Sequence, residues 1–165
     1  KMTPFEIRDA CQPDFERILR LNDVEVQQTS QMDLDRLRLL DDLSAYHKVA
    51  ILEGHVAGFI LAMRAGAPYA NDNFSWFASR LDDFLYVDRI VVGSEFAGLK
   101  IGSGLYQDLF AYAKARVIPS ITCEYNIEPP NLASRGFHDK FGFRELGRQR
   151  VAGGAKLVSL QAAAT

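Results

Sequence analysis

Apolar and polar positions change period several times along the chain, and each change marks an element. Phe5-Glu6-Ile7-Arg8 alternates, which predicts a first strand. Pro13, with Asp14 and Glu16 beside it, suits the first turn of a helix and its positive end. Phe15, Ile18, Leu19, Asn22 and Val26 then fall on one stripe, so that Asn22 is a polar side chain on an apolar face. Ser30 to Asp33 breaks the pattern, and Leu34, Leu37, Leu40 and Leu43 mark a second helix. From His47 the period becomes that of strands. Val49-Ala50-Ile51-Leu52, a turn at Glu53-Gly54-His55 and Val56 to Met63 predict a hairpin.

The second half continues the alternation of elements. Ala65 to Asp83 is a long connection rich in Gly, Pro and Asn that also carries Tyr69, Phe74, Trp76 and Phe77. A connection this long inside a compact domain is functional or holds a short helix of its own. Phe84 to Val92 predicts a buried strand, Gly98 to Gly104 a glycine-containing loop, and Leu105 to Arg116 an amphipathic helix. Ile118 to Tyr125 predicts a strand closed by Pro129-Pro130. Asn131 caps a short helix that ends near Gly142. Phe143 to Arg150 and Ala155 to Leu160 predict two last strands joined at Gly153-Gly154. The predicted order is β-α-α-β-β-β-α-β-α-β-β, a mixed α/β architecture around one sheet.

Composition narrows this picture. The 165 residues suit one domain, expected over 3–162, and 48% hydrophobic residues with 24% charged ones can build a core. A net charge of −2 argues against a general nucleic-acid binder. No apolar run is long enough for a membrane span. Cys11 and Cys123 have neither CxxC spacing nor nearby histidines, so reduced, buried thiols in a cytoplasmic protein are expected, with no metal site.

The most informative stretch is a strand, then Gly98-Leu99-Lys100-Ile101-Gly102-Ser103-Gly104, then a helix. Such a turn gathers backbone N–H groups at the positive end of a helix dipole, which suits a pyrophosphate, although glycines also make such turns for tightness alone. It matches neither the P-loop nor the dinucleotide fingerprint. Downstream stand Cys123-Glu124-Tyr125-Asn126 and the run Asn131-Leu132-Ala133-Ser134-Arg135-Gly136-Phe137-His138-Asp139-Lys140-Phe141-Gly142-Phe143. With these the chain resembles the GNAT superfamily of acyl-CoA-dependent N-acyltransferases, most specifically over Val87 to Phe143. Three positions depart from that family's pattern. Ala97 replaces an Arg or Gln, Lys100 replaces a glycine, and His138 replaces a tyrosine.

The resemblance implies a mostly antiparallel mixed sheet flanked by helices, with acetyl-CoA as co-substrate. It implies cofactor contacts from Ile90, Val91 and Val92 on the strand and from Ala97, Gly98, Leu99, Lys100, Ile101, Gly102, Ser103 and Gly104 at the turn. Asn131, Ser134 and His138 complete that set. Asn131, Ser134 and His138 fall on one helical face, read as a polar stripe with something to contact, while Ala133, Phe137 and Phe141 are expected to pack on the sheet. Asn131 also reads as a simple N-cap.

Acyl transfer to an amine needs a proton acceptor, a donor for the tetrahedral oxygen and a tolerable leaving group. Glu124 aligns with the strand glutamate that serves such enzymes as base, with Tyr86 and Asp88 as the runner-up bases. The backbone N–H of Val92 or a neighbour is the expected oxyanion donor. His138 stands where an acid to the thiolate is expected, or is structural. Asn22, Tyr86 and Trp76 are the candidates for contact with the amine acceptor, Asn22 because a buried amide must find partners. The implied function is direct transfer of an acetyl group to a primary amine of a small molecule or peptide. A non-catalytic acyl-CoA sensor or scaffold of the same fold and an unrelated phosphate-binding module are the alternatives. Oligomeric state is not legible, and a homodimer stays open.

Overall fold

The computed structural model describes residues 4–24 and 29–165. It holds β1 (Glu6–Asp9), α1 (Phe15–Val24), α2 (Leu34–Leu43), β2 (Tyr46–Leu52), β3 (His55–Arg64), α3 (Asp72–Ala78) and β4 (Leu85–Val92). After these come α4 (Ile101–Ala115), β5 (Ser120–Glu128), α5 (Leu132–Asp139), β6 (Arg144–Val151) and β7 (Lys156–Ala164). The strands follow the order β1-β2-β3-β4-β5-β7-β6 in one seven-stranded sheet. The predicted order holds with one insertion: the long connection contains α3, started by Asn71, whose side chain accepts from the Phe74 amide at 3.0 Å. The chain divides into two compact units, Lys1–Met63 with Val87–Tyr112, and Arg64–Tyr86 with Ala113–Thr165.

In the first unit, β2 and β3 meet through a two-residue turn in which Leu52 faces His55. Glu53 and Gly54 both take positive φ, 51° and 80°, the geometry that matches the twist of a tight hairpin. A short 3₁₀ turn at Gln12–Asp14 leads into α1. The Asp14 carboxylate accepts from both Arg8 Nη1 (2.8 Å) and Nη2 (2.9 Å) and from the Cys11 amide, which holds it down to about 2. The buried stripe of α1 is Phe15, Ile18, Leu21 and Asn22. Leu21 takes the inward place expected of Leu19, and Val26 lies outside the described residues. Asp33 caps α2, accepting from the Arg36 amide at 2.8 Å, and Leu37 and Leu40 are its buried residues.

In the second unit, β4 pairs with β5 in parallel at Leu85↔Ile121 and Tyr86↔Thr122, and β7 pairs antiparallel with both β5 and β6. Alternation sends Thr122 and Glu124 to one face and Cys123 and Tyr125 to the other. Helix α3 covers the Glu124 face. Phe74 stacks at 5.5 Å on Phe84 and 5.7 Å on Tyr86, and Asn73 Oδ1 accepts from Gln149 Nε2 at 2.8 Å. Trp76 closes on Gly147, where any Cβ would lie 2.5 Å from its ring. Gly147 follows a register shift in β6 that leaves Leu146 out of the ladder.

Helix α5 covers the opposite face, and here the structure corrects the expectation. His138 is the buried residue, 5.7 Å ring to ring from Tyr125 and 5.2 Å from Phe143. Ala133 is exposed, and Phe137 and Phe141 are only partly covered. His138 therefore turns inward, whereas Asn131 and Ser134 are partly covered like Phe137 and Phe141, and Gly142 (φ 81°), beyond the helix end, leads into the buried Phe143. Two smaller corrections follow. Cys11 is exposed, not buried, whereas Cys123 is buried as expected. Helix α4 begins at Ile101, so Gly102, Ser103 and Gly104 belong to its first turn and not to a loop.

Candidate functional site

In the first unit, β4 runs into a 3₁₀ turn (Ser94–Phe96) and then into α4. Gly98 and Lys100 both adopt left-handed backbone, with φ of 82° and 62°. Lys100 thus occupies a conformation that favours glycine, which is the physical meaning of the glycine that its relatives' pattern holds there. The Gly104 amide is the first to find the acceptor of a helical turn, the Lys100 carbonyl at 3.0 Å. The amides of Ile101, Gly102 and Ser103 are the donors that a helix start leaves without partners. They lie at the positive end of a fifteen-residue helix, a geometry that suits an anion. Gly104 has a separate reason to lack a side chain, since a Cβ would lie 2.5 Å from the Phe5 ring. Beside Val92, the Gly93 amide donates to the Ala57 carbonyl at 2.8 Å.

In the second unit, the Tyr86 hydroxyl donates to Glu124 Oε1 at 2.6 Å. Tyr86 is 1% exposed and Glu124 is half-buried. Two of the candidate bases are therefore one hydrogen-bonded pair. Thr122, on the same face, is fully buried with its Oγ1 unpartnered.

The third candidate base is of another kind. Asp88 is ion-paired with Arg89 (Nε to Oδ2, 2.7 Å), with both side chains almost fully enclosed at 3% and 2% exposure. Arg89 also donates through Nη1 to Asn22 Oδ1 (3.0 Å) and the Ser30 carbonyl (2.9 Å), and through Nη2 to Ser30 Oγ (2.9 Å). Asn22 in turn donates to the Ser30 carbonyl at 3.1 Å and accepts from Thr29 Oγ1 at 3.2 Å. Asn22 thus finds the partners that its burial demands within the chain. Sequence reasoning passed over Arg89. Its signal was a charged pair inside an otherwise apolar strand, Tyr86-Val87-Asp88-Arg89-Ile90-Val91-Val92, which must be matched by polar groups elsewhere.

On α5, Asn131 Oδ1 accepts from the Ser134 amide at 3.1 Å, so Asn131 acts as the N-cap. His138 Nδ1–H donates to the Ser134 carbonyl at 2.7 Å, and burial pushes the imidazole below its usual 6.5. The ring is therefore neutral near pH 7, with its proton on Nδ1 and its acceptor lone pair on Nε2. Trp76 is partly covered, stacked beneath the Arg80 guanidinium at 3.9 Å, and acts as an anchor of α3. Among the described residues no cluster of His, Cys, Asp and Glu could hold a metal ion, and no helix is long and apolar enough to cross a membrane.

Solved structures share this fold over nearly the whole chain. Ard1 from Thermoplasma volcanium superposes with a TM-score of 0.78 at 16% identity, covering 98% of this chain and 97% of that one. Ribosomal-protein-alanine N-acetyltransferase from Brucella melitensis gives 0.73 at 22% identity, covering 97% and 99%. Arabidopsis thaliana Naa50, in complex with the bisubstrate analogue CoA-Ac-MVNAL, gives 0.73 at 13% identity, covering 98% and 99%. No curated protein matches the sequence. The profile of the Acetyltransferase (GNAT) family matches residues 6–143, most of the chain, and the chain belongs to the Acetyltransferase (GNAT) family.

Proposed function

We propose that this chain is an N-acetyltransferase that moves the acetyl group of acetyl-CoA to a primary amine by direct attack. The observation that carries the reading is the Tyr86–Glu124 pair, a buried phenol bonded at 2.6 Å to a half-buried carboxylate on a strand face. A domain that only bound acyl-CoA would need no such proton acceptor. The first-turn amides of α4, with Lys100 beside them, take the pyrophosphate. The Val92 amide donates to the thioester carbonyl and strengthens its bond as that oxygen becomes an anion.

The amine, protonated in water, loses its proton toward Glu124, with Tyr86 as the group that hands it on. The nitrogen lone pair then attacks the carbonyl carbon, the C–S bond breaks, the thiolate leaves with the bonding electrons, and the second proton of the nitrogen passes to that thiolate through water. A thiol of pKa about 8.5 departs without an acid. His138, whose Nδ1–H is held by the Ser134 carbonyl, serves to fix α5 and not to protonate sulfur. That one similar structure is a ribosomal-protein-alanine N-acetyltransferase and another holds the bisubstrate analogue CoA-Ac-MVNAL supports an amine acceptor, without choosing between peptide and small molecule.

The test is thiol release from acetyl-CoA in the presence of a panel of polyamines, amino acids and N-terminal peptides. Amine-dependent release by the wild type, lost in Glu124→Gln while acetyl-CoA affinity by calorimetry is unchanged, is the expected result. Tight acetyl-CoA binding with no amine-dependent release from any member would favour the non-catalytic reading.

A further inference from the structure

Gly58 lies buried inside β3, away from any turn, and its φ is outside the left-handed region, so its own backbone does not require glycine. The requirement comes from the neighbouring strand. A Cβ at position 58 would stand 2.8 Å from the Val91 carbonyl oxygen and 3.3 Å from both Cα and Cγ2 of Val92. Two of these three atoms are backbone, so no change of rotamer relieves them. The Cβ of a strand residue points out of the sheet, and the Val91 carbonyl therefore leans over the space that the missing side chain leaves.

That oxygen belongs to the same planar peptide as the Val92 N–H. The peptide is trans, since the one cis bond among the described residues is Glu128–Pro129. Its C=O and N–H therefore point in opposite directions, and the place where the Val91 oxygen rests fixes the direction of the Val92 N–H. Strand β3 shapes that resting place twice. Its ladder with β2 passes from Ala50↔Gly58 to Ile51↔Val56, which leaves Ala57 as the extra residue of a bulge. The Ala57 carbonyl holds the next peptide of β4 through the Gly93 amide at 2.8 Å, while Gly58 makes room for the Val91 oxygen. All of these residues lie in the first unit.

We propose that Gly58 is a positioning residue for acyl transfer: by leaving room for the Val91 carbonyl, it aims the Val92 N–H at the thioester oxygen. The inference rests on the acetyl-transfer reading, which gives that N–H the thioester. Gly58 acts through one peptide plane and needs no contact of its own with acetyl-CoA or the amine.

Gly58→Ala adds the one atom that the packing leaves out, and the peptide must withdraw by roughly half an ångström to regain ordinary contact. Moving an oxyanion donor in this way should lower kcat about tenfold to a hundredfold, with acetyl-CoA affinity and acceptor KM each within about threefold. The specific readout is the infrared band of acetyl-CoA labelled with carbon-13 at the thioester carbonyl. Bound to the wild type, this band should lie below its position in free acetyl-CoA, as that of a hydrogen-bonded carbonyl does, and in Gly58→Ala it should return most of the way. Ile60→Val, which trims a buried side chain two positions along the same strand, should leave both kcat and the band in place. Where Gly58→Ala folds poorly, the same substitution in a Val92→Ala background removes the Cγ2 contact, keeps the carbonyl one, and is read against that background. Wild-type kcat and band position in folded Gly58→Ala overturn the inference. So does a fall in kcat with the band unmoved, or an equal fall in Ile60→Val, since either makes Gly58 a matter of general packing. If the wild type acetylates no amine, the function reading fails by itself, and the band still decides whether Gly58 aims the donor.

Discussion

The bond between Tyr86 and Glu124 can be isolated, because Phe at position 86 keeps everything except the hydroxyl. The ring is 1% exposed, and its contacts at 5.7 Å with Phe74 and 6.0 Å with Phe77 do not involve the oxygen. A hydrogen bond to a charged acceptor contributes about 1.5–3 kcal/mol, so Tyr86→Phe should cost about 2 kcal/mol in urea unfolding. Glu124→Gln leaves an amide oxygen for the phenol and should cost less, about 1 kcal/mol. Because both substitutions damage one bond, the double variant should be more stable than the sum of single losses requires, by about 1–2 kcal/mol. The kinetic cycle has its own signature. Loss of a general base lowers the rate by about a hundredfold to ten-thousandfold. If the two groups share one proton path, adding Tyr86→Phe to Glu124→Gln should lower kcat/KM by less than about threefold further. Stability losses that simply add would show that the 2.6 Å bond contributes nothing, and rate losses that multiply would show that the groups act separately.

Three further outcomes follow from the same geometry. The rate defect of Glu124→Gln should shrink as pH rises toward an amine pKa of about 10, whereas His138→Phe should lose no more than about tenfold at any pH, which a pH–rate profile of kcat/KM would show. Lys100→Gly relieves a left-handed φ of 62° and should raise Tm, yet weaken acetyl-CoA by up to about fivefold and flatten the salt dependence of its Kd by calorimetry. His47 is enclosed between Phe15 and Phe59 with Nδ1 on Asp41 at 2.7 Å and Nε2 unpartnered, and burial holds it below 6.5 despite the pull of Asp41, Asp14 and Asp9. A base whose folded pKa is depressed adds stability that is present above its unfolded pKa and lost as pH falls below it. Urea unfolding should therefore weaken from pH 7 to 5, and His47→Asn, which keeps a donor for Asp41, should flatten that slope.

What could be read in the sequence was whatever a short window decides. Strand alternation, the Asn131 cap and the glycine punctuation at Gly54, Gly98 and Gly142 each act within a few residues, and each placed its element. A short helix was one of two readings of the long connection, but α3 could not be placed within it, because seven residues span two turns, too few for a helical period to stand out among the aromatics of a loop. The inward face of α5 was misjudged because aromatic residues were given the core by default. The chain instead buries a histidine whose polarity is answered by its own helix's carbonyl at Ser134. Asn22 and Arg89 are the plainest case of non-local information. Each is an anomaly in its own segment, 67 positions apart, and only the fold shows that one anomaly answers the other.

Trp76 is the only tryptophan in the chain. Its indole lies between the bare backbone of Gly147 and the Arg80 guanidinium, and so its surroundings are set by a glycine on one side and a cation on the other. Excitation near 295 nm would therefore observe the seating of α3 on β6 and little else, a spectroscopic label that needs no chemistry to install. Gly147→Ala, whose Cβ would meet the ring, should unseat it and shift its emission toward the red.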